Sequence, residues 1–353
     1  MEAQQARPLV SIITVYYNRG DLVADSIESL LSQTHRTIEI IAVDDGSTDD
    51  TYDRLRAFDD ERLTVVRHQN QGFVGSIRKG IEMAGGQVIA IHGSGDISHP
   101  DRIARQLAVL EQRPDVGVVG CYVENRNLLR KQSTLHMPKV GPDAGRQLAE
   151  ANFLTHGEVM FRKRVYDAVG GYRTFFRQAQ DRDLWLRMSE QTGFHIVPEF
   201  LYTRFIRSDG VTGARPERLA AHILLSSLAV HCYEARRRNE PDPLDAGRFE
   251  SLMSVLLNRA ESMVLARCAT ELAIAGRYDE ADALFRRSLA SRSLAIPLVL
   301  FGLFKATRFA GSRLQSRFLR FLMARWYDVK DRRERRRARQ AAASGQLALP
   351  AGE

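Results

Sequence analysis

The segment Val43–Asp49 (VDDGSTD) sets two adjacent carboxylates, Asp44 and Asp45, at the end of an apolar run and follows them with a Gly-Ser-Thr turn. At the carboxyl end of a buried strand such a pair can accept hydrogen bonds from a nucleobase or from ribose hydroxyls. The same residues also suit a structural role, in which Asp45 or Ser47 caps the helix that follows. His156, in THGEVMF, precedes an apolar run and could touch a sugar or a phosphate, whereas His92 lies inside a strand-like run that favours burial. A lone histidine is more often structural or solvated, so neither is assigned to a metal. Cys121, Cys232 and Cys268 are far apart and fit no C-x-x-C spacing. That argues against a zinc finger or a disulfide framework and for a reducing, cytosolic compartment.

Holding Asp44 and Asp45 at a strand end requires a sheet, and the first half of the chain supplies one. Short β-rich runs at Leu9–Val15, Ile38–Val43, Leu63–Arg67 and Gln87–His92 alternate with amphipathic patterns at Asp21–Ser32, Asp49–Phe58 and Gly72–Met83. Near-continuous apolar strands separated by helices predict right-handed βαβ units and a parallel sheet covered on both faces. A helix over Arg102–Gln112 and a strand over Val116–Val123 follow, then a polar stretch to about Leu154. Val159–Val169 and Asp181–Glu190 are shorter pieces of a less regular region. From Pro216 the pattern turns helical, broken at Arg236–Gly247 (RRRNEPDPLDAG) by two prolines. Cys268–Leu289 resembles half of a tetratricopeptide repeat, but no second copy follows, and a helical hairpin is the simpler expectation.

The 353 residues allow two domains, and 44% hydrophobic with 27% charged residues is ordinary for a soluble globular chain, which excludes fibrous and disordered classes. Leu9–Val15 is too short for the core of a signal peptide, and no apolar run reaches the roughly 18 residues of a membrane span.

Several segments in a fixed order carry a more specific signal. Val10–Asn18 (VSIITVYYN), Ser29–Thr34 (SLLSQT), Glu39–Asp49 (EIIAVDDGSTD), Asn70–Gly72 with Arg78, and Asp96–Arg102 (DISHPDR) resemble the nucleotide-binding half of a family 2 glycosyltransferase. Thr155–Arg162 (THGEVMFR), Gly170–Tyr172 (GGY) and Gln180–Arg187 (QDRDLWLR) resemble its acceptor half. The resemblance covers about Leu9–Thr212. It implies an α/β GT-A fold, Rossmann-like, with a mostly parallel sheet flanked by helices, and inverting transfer of a sugar from a nucleotide-sugar donor, a UDP-sugar being favoured. By position it places Tyr17 near the base, Asp45 on uracil or ribose, and Arg78 near the base or diphosphate. It makes Asp181 the general base, a carboxylate that takes the proton from the attacking acceptor hydroxyl. Asp183 and Arg187 are expected to form an ion pair or a cap on their helix, with Trp185 and Leu186 packed inward.

One departure matters. Where the family carries an Asp-x-Asp segment that holds a divalent cation on the donor diphosphate, this chain reads His92-Gly93-Ser94-Gly95-Asp96. Both carboxylates are glycines, and Asp96 is the one acid left to bind Mg2+ or Mn2+ and the donor. The family's later histidine is absent as well, with Ile206 near its place in YTRFIR. Three outcomes stay open: a cation on Asp96, stabilisation of the diphosphate by Arg78, Arg204 and Arg207, or a site that binds without catalysis.

Charge is concentrated near the end. Lys305–Arg339 holds 13 Lys or Arg against Asp328, Asp331 and Glu334, which leaves the preceding body almost neutral within a net +8. Leu314, Phe318, Phe321 and Leu322 share a helical face flanked by Arg313, Arg317 and Arg320. Residues 295–339 therefore suit an anionic membrane surface or a helix packed on the body, and nucleic acid is disfavoured for want of a reader motif. The expected organisation is a GT-A domain over 1–215, a helical extension over 216–330 and a basic tail over 331–353. The expected function is a non-processive glycosyltransferase acting on a glycan or lipid-linked acceptor in envelope or exported polysaccharide synthesis. It would be cytoplasmic or peripheral on the inner face of the cytoplasmic membrane. The alternative is a degenerate GT-A module that binds nucleotide or glycan as a scaffold.

Overall fold

The computed structural model describes residues 9–128, 131–207 and 216–247, with Asp282 alone beyond them. The half-repeat at 268–289, the basic segment 295–339, the tail 331–353 and most of the helical extension lie outside the described residues.

The opening alternation forms as the pattern predicts. β1 (Val10–Tyr16) is buried along its whole length. After a 3-10 turn, Gly20–Leu22, come α1 (Val23–Leu31), β2 (Ile38–Asp44), α2 (Thr51–Arg56), β3 (Leu63–Arg67), α3 (Phe73–Met83) and β4 (Val88–Gly93). Val10, Ile12 and Tyr16 of β1 join Ile27 and Leu30 of α1 in the main core cluster. Ile13 lies on the opposite face, where Gly80 of α3 comes so close that an added Cβ would stand 2.6 Å from Ile13 Cγ2. Each such aliphatic side chain taken from water contributes about 1.5–3 kcal/mol, so a strand apolar on both faces is fixed between two helical layers.

The second half is built differently. β5 (Ile97–Ser98), α4 (Arg102–Gln112), β6 (Val116–Asn127), β7 (Gln132–His136) and α5 (Ala144–Glu150) lead to a 3-10 turn, His156–Glu158. Then come β8 (Met160–Arg162), α6 (Lys163–Ala168), α7 (Gln180–Met188) and β9 (Gly193–Ile206). The sheet runs β3-β2-β1-β4-β8-β6-β9-β5, with β7 added beside β6. β1, β2, β3 and β4 are parallel to one another. β8 runs antiparallel to both β4 and β6, β6 and β9 are parallel, β5 pairs antiparallel with β9, and β7 pairs antiparallel with β6. The polar stretch before Leu154 is thus partly regular: β6 continues four residues past Val123, and β7 and α5 lie within it.

The chain divides into two compact units between Ile206 and Arg207. The strands all belong to the first. In the second, α8 (Pro216–Arg237) stops at the predicted break, where Arg236 pairs with Asp242 and Asp242 Oδ1 accepts from Leu244 N (3.0 Å). Among the described residues no helix is long and apolar enough to cross a membrane.

Candidate active site

Parallel strands in register end together. Val15 of β1 pairs with Val43 of β2 and with Gly93 of β4, so Tyr17, Asp45 and the turn Gly93–Asp96 emerge at one edge of the sheet. Tyr17 is 48% exposed. The loop behind it is clamped by Asn18, whose N–H donates to Ser47 Oγ (2.9 Å) and whose Oδ1 accepts from Thr48 N (2.8 Å). Asp44 and Asp45 are both buried but point to different work. Asp44 Oδ1 accepts from Ser47 N (3.2 Å) and Oδ2 faces Arg67 Nε (3.2 Å), so this residue closes the turn and ties it to β3. Asp45 Oδ1 accepts from Gln71 N (2.8 Å), which joins the end of β2 to the loop that opens α3. The capping role for Asp45 or Ser47 is not used. α2 follows Asp50 with no side-chain cap, and it is Asp49 that accepts from Thr51 N (3.0 Å).

Arg78 stands half-buried on α3, and no hydrogen bond or ion pair holds its guanidinium among the described residues. Its positive charge is felt at the Tyr166 phenol.

Asp96 is enclosed by the second half of the sheet. Its Oδ2 accepts from Tyr202 Oη (2.8 Å) and its Oδ1 from Phe205 N (3.0 Å), while Gly93 N donates to Tyr202 Oη (2.9 Å). Removal from water pushes the Asp96 carboxyl up to about 6 against these two donors, and burial followed by the charge of Asp96 raises the Tyr202 phenol. The glycines of the altered Asp-x-Asp segment are close-packed. A Cβ at position 93 would overlap Asp96 Oδ2 and lie 3.2 Å from Tyr202 Oη. At Gly95, where φ is +88°, it would stand 2.5 Å from Leu22 Cδ1. Among the described residues no three His, Cys, Asp or Glu side chains gather as a metal site. His92 is buried, its imidazole held well below its usual range first by burial, and it bonds Ser26 Oγ at 3.0 Å.

On the other side of the site, α7 presents Asp181 and Asp183 in its first turn, and the two are treated in opposite ways. Asp183 is 1% exposed and paired with both Arg173 and Arg187, with Trp185 and Leu186 fully buried beside it, which matches the expected ion pair. Asp181 is half-buried, and among the described residues its hydrogen-bond partner is the Asn152 amide, Nδ2 donating to Oδ2 at 3.0 Å. The charge of Asp181 reaches His156, whose pKa is lowered first by burial and raised by that charge. The His156 ring bonds Tyr172 Oη (2.6 Å) and packs edge-on against Phe73 at the start of α3, centroids 5.3 Å apart. Next to it, Gly157 lies against the end of β4, where an added Cβ would be 3.1 Å from Gly93 N. Tyr17, Asp45 and Asp96 thus share the strand-end edge, Arg78 lies on the helix that Asp45 anchors, and Asp181 approaches through His156. No side-chain bond joins Asp181 to the other four.

Residues that no local pattern singled out hold the two sides together. Arg102, fully buried, donates from Nη1 to Ile91 O (3.1 Å) and Gly157 O (2.8 Å) and lies over the Tyr202 ring at 5.2 Å. Glu158 closes a capping box with Thr155, and burial lifts its carboxyl to about 8. Tyr202 lies 106 positions from Asp96 in sequence. The signals were Arg102 at the end of DISHPDR and the T-x-x-E spacing of Thr155 and Glu158.

Comparison with known proteins agrees with this geometry. The sequence model of the family described as Glycosyl transferase family 2 matches residues 11–182. The chain is 33% identical over 239 residues to the putative glycosyltransferase EpsE of Bacillus subtilis, covering 65% of this chain and 83% of that protein. It is 27% identical over 207 residues to the chondroitin synthase of Escherichia coli, 58% of this chain and 30% of that much longer protein. A solved mannosyltransferase, PcManGT from Pyrobaculum calidifontis in complex with GDP-Man and Mn2+, shares the fold at a TM-score of 0.53 and 20% identity, over 91% of this chain and 86% of that one. With this fold and these matches, the chain belongs to the family 2 glycosyltransferases.

Proposed function

We propose that the protein transfers a sugar from a nucleotide-diphosphate donor to a glycan or lipid-linked acceptor, with inversion, in the synthesis of an envelope or exported polysaccharide. Tyr17 offers an exposed ring on which a base can stack, and Asp45 stands at the neighbouring strand end for the base or ribose. Arg78 brings unpaired positive charge toward the diphosphate. Asp181 takes the acceptor's proton as the hydroxyl oxygen attacks the anomeric carbon. The bond from that carbon to the diphosphate oxygen breaks on the opposite face, and the nucleoside diphosphate leaves. A single displacement of this kind inverts the anomeric centre.

The observation that carries the reading is the contrast within α7. Asp183 is locked between two arginines, whereas Asp181 is half-open and held by a neutral amide, the state a general base needs. Asp181→Asn is the test, with release of nucleoside diphosphate from a panel of nucleotide sugars as the readout. Transfer should fall to background while nucleotide binding persists. Binding and cellular function that both survive the substitution would instead favour the scaffold reading, which draws on the missing Asp-x-Asp carboxylates. The domain limits at 215 and 330, the cytoplasmic location and attachment of 295–339 to an anionic membrane belong to the same proposal.

The Mg2+ or Mn2+ implied by the resemblance meets a poor donor set. A hard cation on a diphosphate wants one or two free carboxylates. Here the single acid, Asp96, already accepts from Tyr202 and Phe205, and the space at 93 and 95 is filled.

A further inference from the structure

A donor diphosphate carries two or more negative charges, and a polyanion entering a partly enclosed site needs counter-charge there. In the described site that charge does not come from a cluster of acids able to hold a cation. It stands instead on two half-buried arginines, Arg78 and Arg204, neither of which has a hydrogen bond or ion pair among the described residues. Arg204 follows Tyr202 by two residues on β9, so both side chains leave the same face of the strand. Phe205 N on Asp96 Oδ1 fixes this stretch against the end of β4, and the charge of Arg204 is felt at Asp96 and at Glu158. Arg78 approaches from α3, whose opening loop Asp45 anchors. Arg204 thus leaves β9 on the face that carries Tyr202 and Asp96, and Arg78 lies midway along α3, the helix that follows the loop held by Asp45.

We propose that Arg78 and Arg204 hold the donor's diphosphate directly, with no divalent cation between protein and phosphate. This rests on the glycosyltransferase reading above. Guanidinium groups suit the task because their planar donors can meet two phosphate oxygens at once and stay charged at any working pH. They would also stabilise the negative charge that grows on the leaving nucleoside diphosphate. Asp96, in this arrangement, is a positioning residue: with Tyr202 it shapes the Gly93–Asp96 turn.

The test is calorimetric titration of the full chain with UDP, GDP and the matching monophosphates, in excess EDTA and again with Mn2+, for the native protein and for Arg204→Gln and Arg78→Gln. Thermal unfolding checks that each variant is folded. One diphosphate should bind with affinities in EDTA and Mn2+ that agree within about twofold. Each variant should lose roughly tenfold or more of the preference for diphosphate over monophosphate, the scale of a lost charge-assisted bond. If one arginine variant does not fold, the other still decides. Tenfold or greater weakening by EDTA would overturn the inference and leave the glycosyltransferase reading standing. An unchanged diphosphate preference in the folded variants would overturn it too. Failure of both nucleotides to bind under either condition would overturn the inference together with the reading it rests on.

Discussion

The two halves of the sheet unit hold their functional residues in place by different means. In the parallel half, β3-β2-β1-β4, the inner strands β2, β1 and β4 are buried almost throughout and the ladder itself sets the geometry. The buried charged residues there, Asp44 and Asp45, stand at strand ends, beside the candidate site. In the mixed half, charged side chains run through the interior. Arg102 spans β4 and the His156–Glu158 turn, Glu158 caps that turn, and Asp183 sits between Arg173 and Arg187. The difference teaches that position comes from hydrogen-bonded backbone where pairing is parallel and continuous, and from buried polar side chains where short strands and turns must be brought into line. A polar brace of that kind is costly to break, because it leaves a partner unpaired out of water.

Asp181→Asn should reduce kcat by about 10²- to 10⁴-fold, the usual contribution of a general base, with little change in Tm. A large loss of Tm would mean that Asp181 is a brace like its neighbour. Asp183→Asn should do the reverse and destabilise by about 3–5 kcal/mol in denaturant unfolding, since two arginines are left without their partner, Arg187 among them at 7% exposure.

Glu158 gives the contrast a pH signature. Its carboxyl is raised from 4.5 to about 8 by burial, so the folded chain holds a proton there that the unfolded chain releases. This contribution is present at low pH and is lost as pH climbs from about 4.5 through about 8, on the order of 2 kcal/mol between pH 6 and pH 8. Glu158→Gln, which keeps an acceptor for Thr155 N, should flatten that slope. An identical slope in the variant would remove Glu158 from the account. The smallest effect is expected from Tyr202→Phe, which takes one donor from Asp96 and one acceptor from Gly93 N. About 1 kcal/mol of stability should go, with looser nucleotide binding visible by calorimetry.

Legibility in the sequence divides along the same line. β3 and α4 have the bounds their patterns predict, β1 and β4 are shifted by one residue at both ends and β2 runs one residue longer, because an apolar run marks a strand more clearly than its ends. β9 was not visible as a strand. It pairs parallel to β6 with register shifts, one of them where Cys121 faces Val197 and Tyr122 faces Phe200, so Pro198 and Glu199 fall in a bulge and spoil the alternation. Tyr202 and Phe205, the partners of Asp96, lie on that strand. The sequence singles out Asp45 and Asp181 as candidates because each sits in a motif of adjacent residues. Arg102 and Tyr202 act through carbonyls and side chains far away in sequence, and no local period encodes that.

The close packing around Gly93 and Gly95 has a consequence for altering this protein. A carboxylate cannot simply be grafted back at either position, since Tyr202 and Asp96 fill the space beside one and Leu22 the space beside the other. The two positions resist for different reasons: at 93 the Asp96 carboxylate has to turn away, whereas at 95 the left-handed backbone strains any side chain even if Leu22 gives way. Restoring an acid at 93 is therefore the easier half of the change, and one at 95 needs the turn itself to be rebuilt.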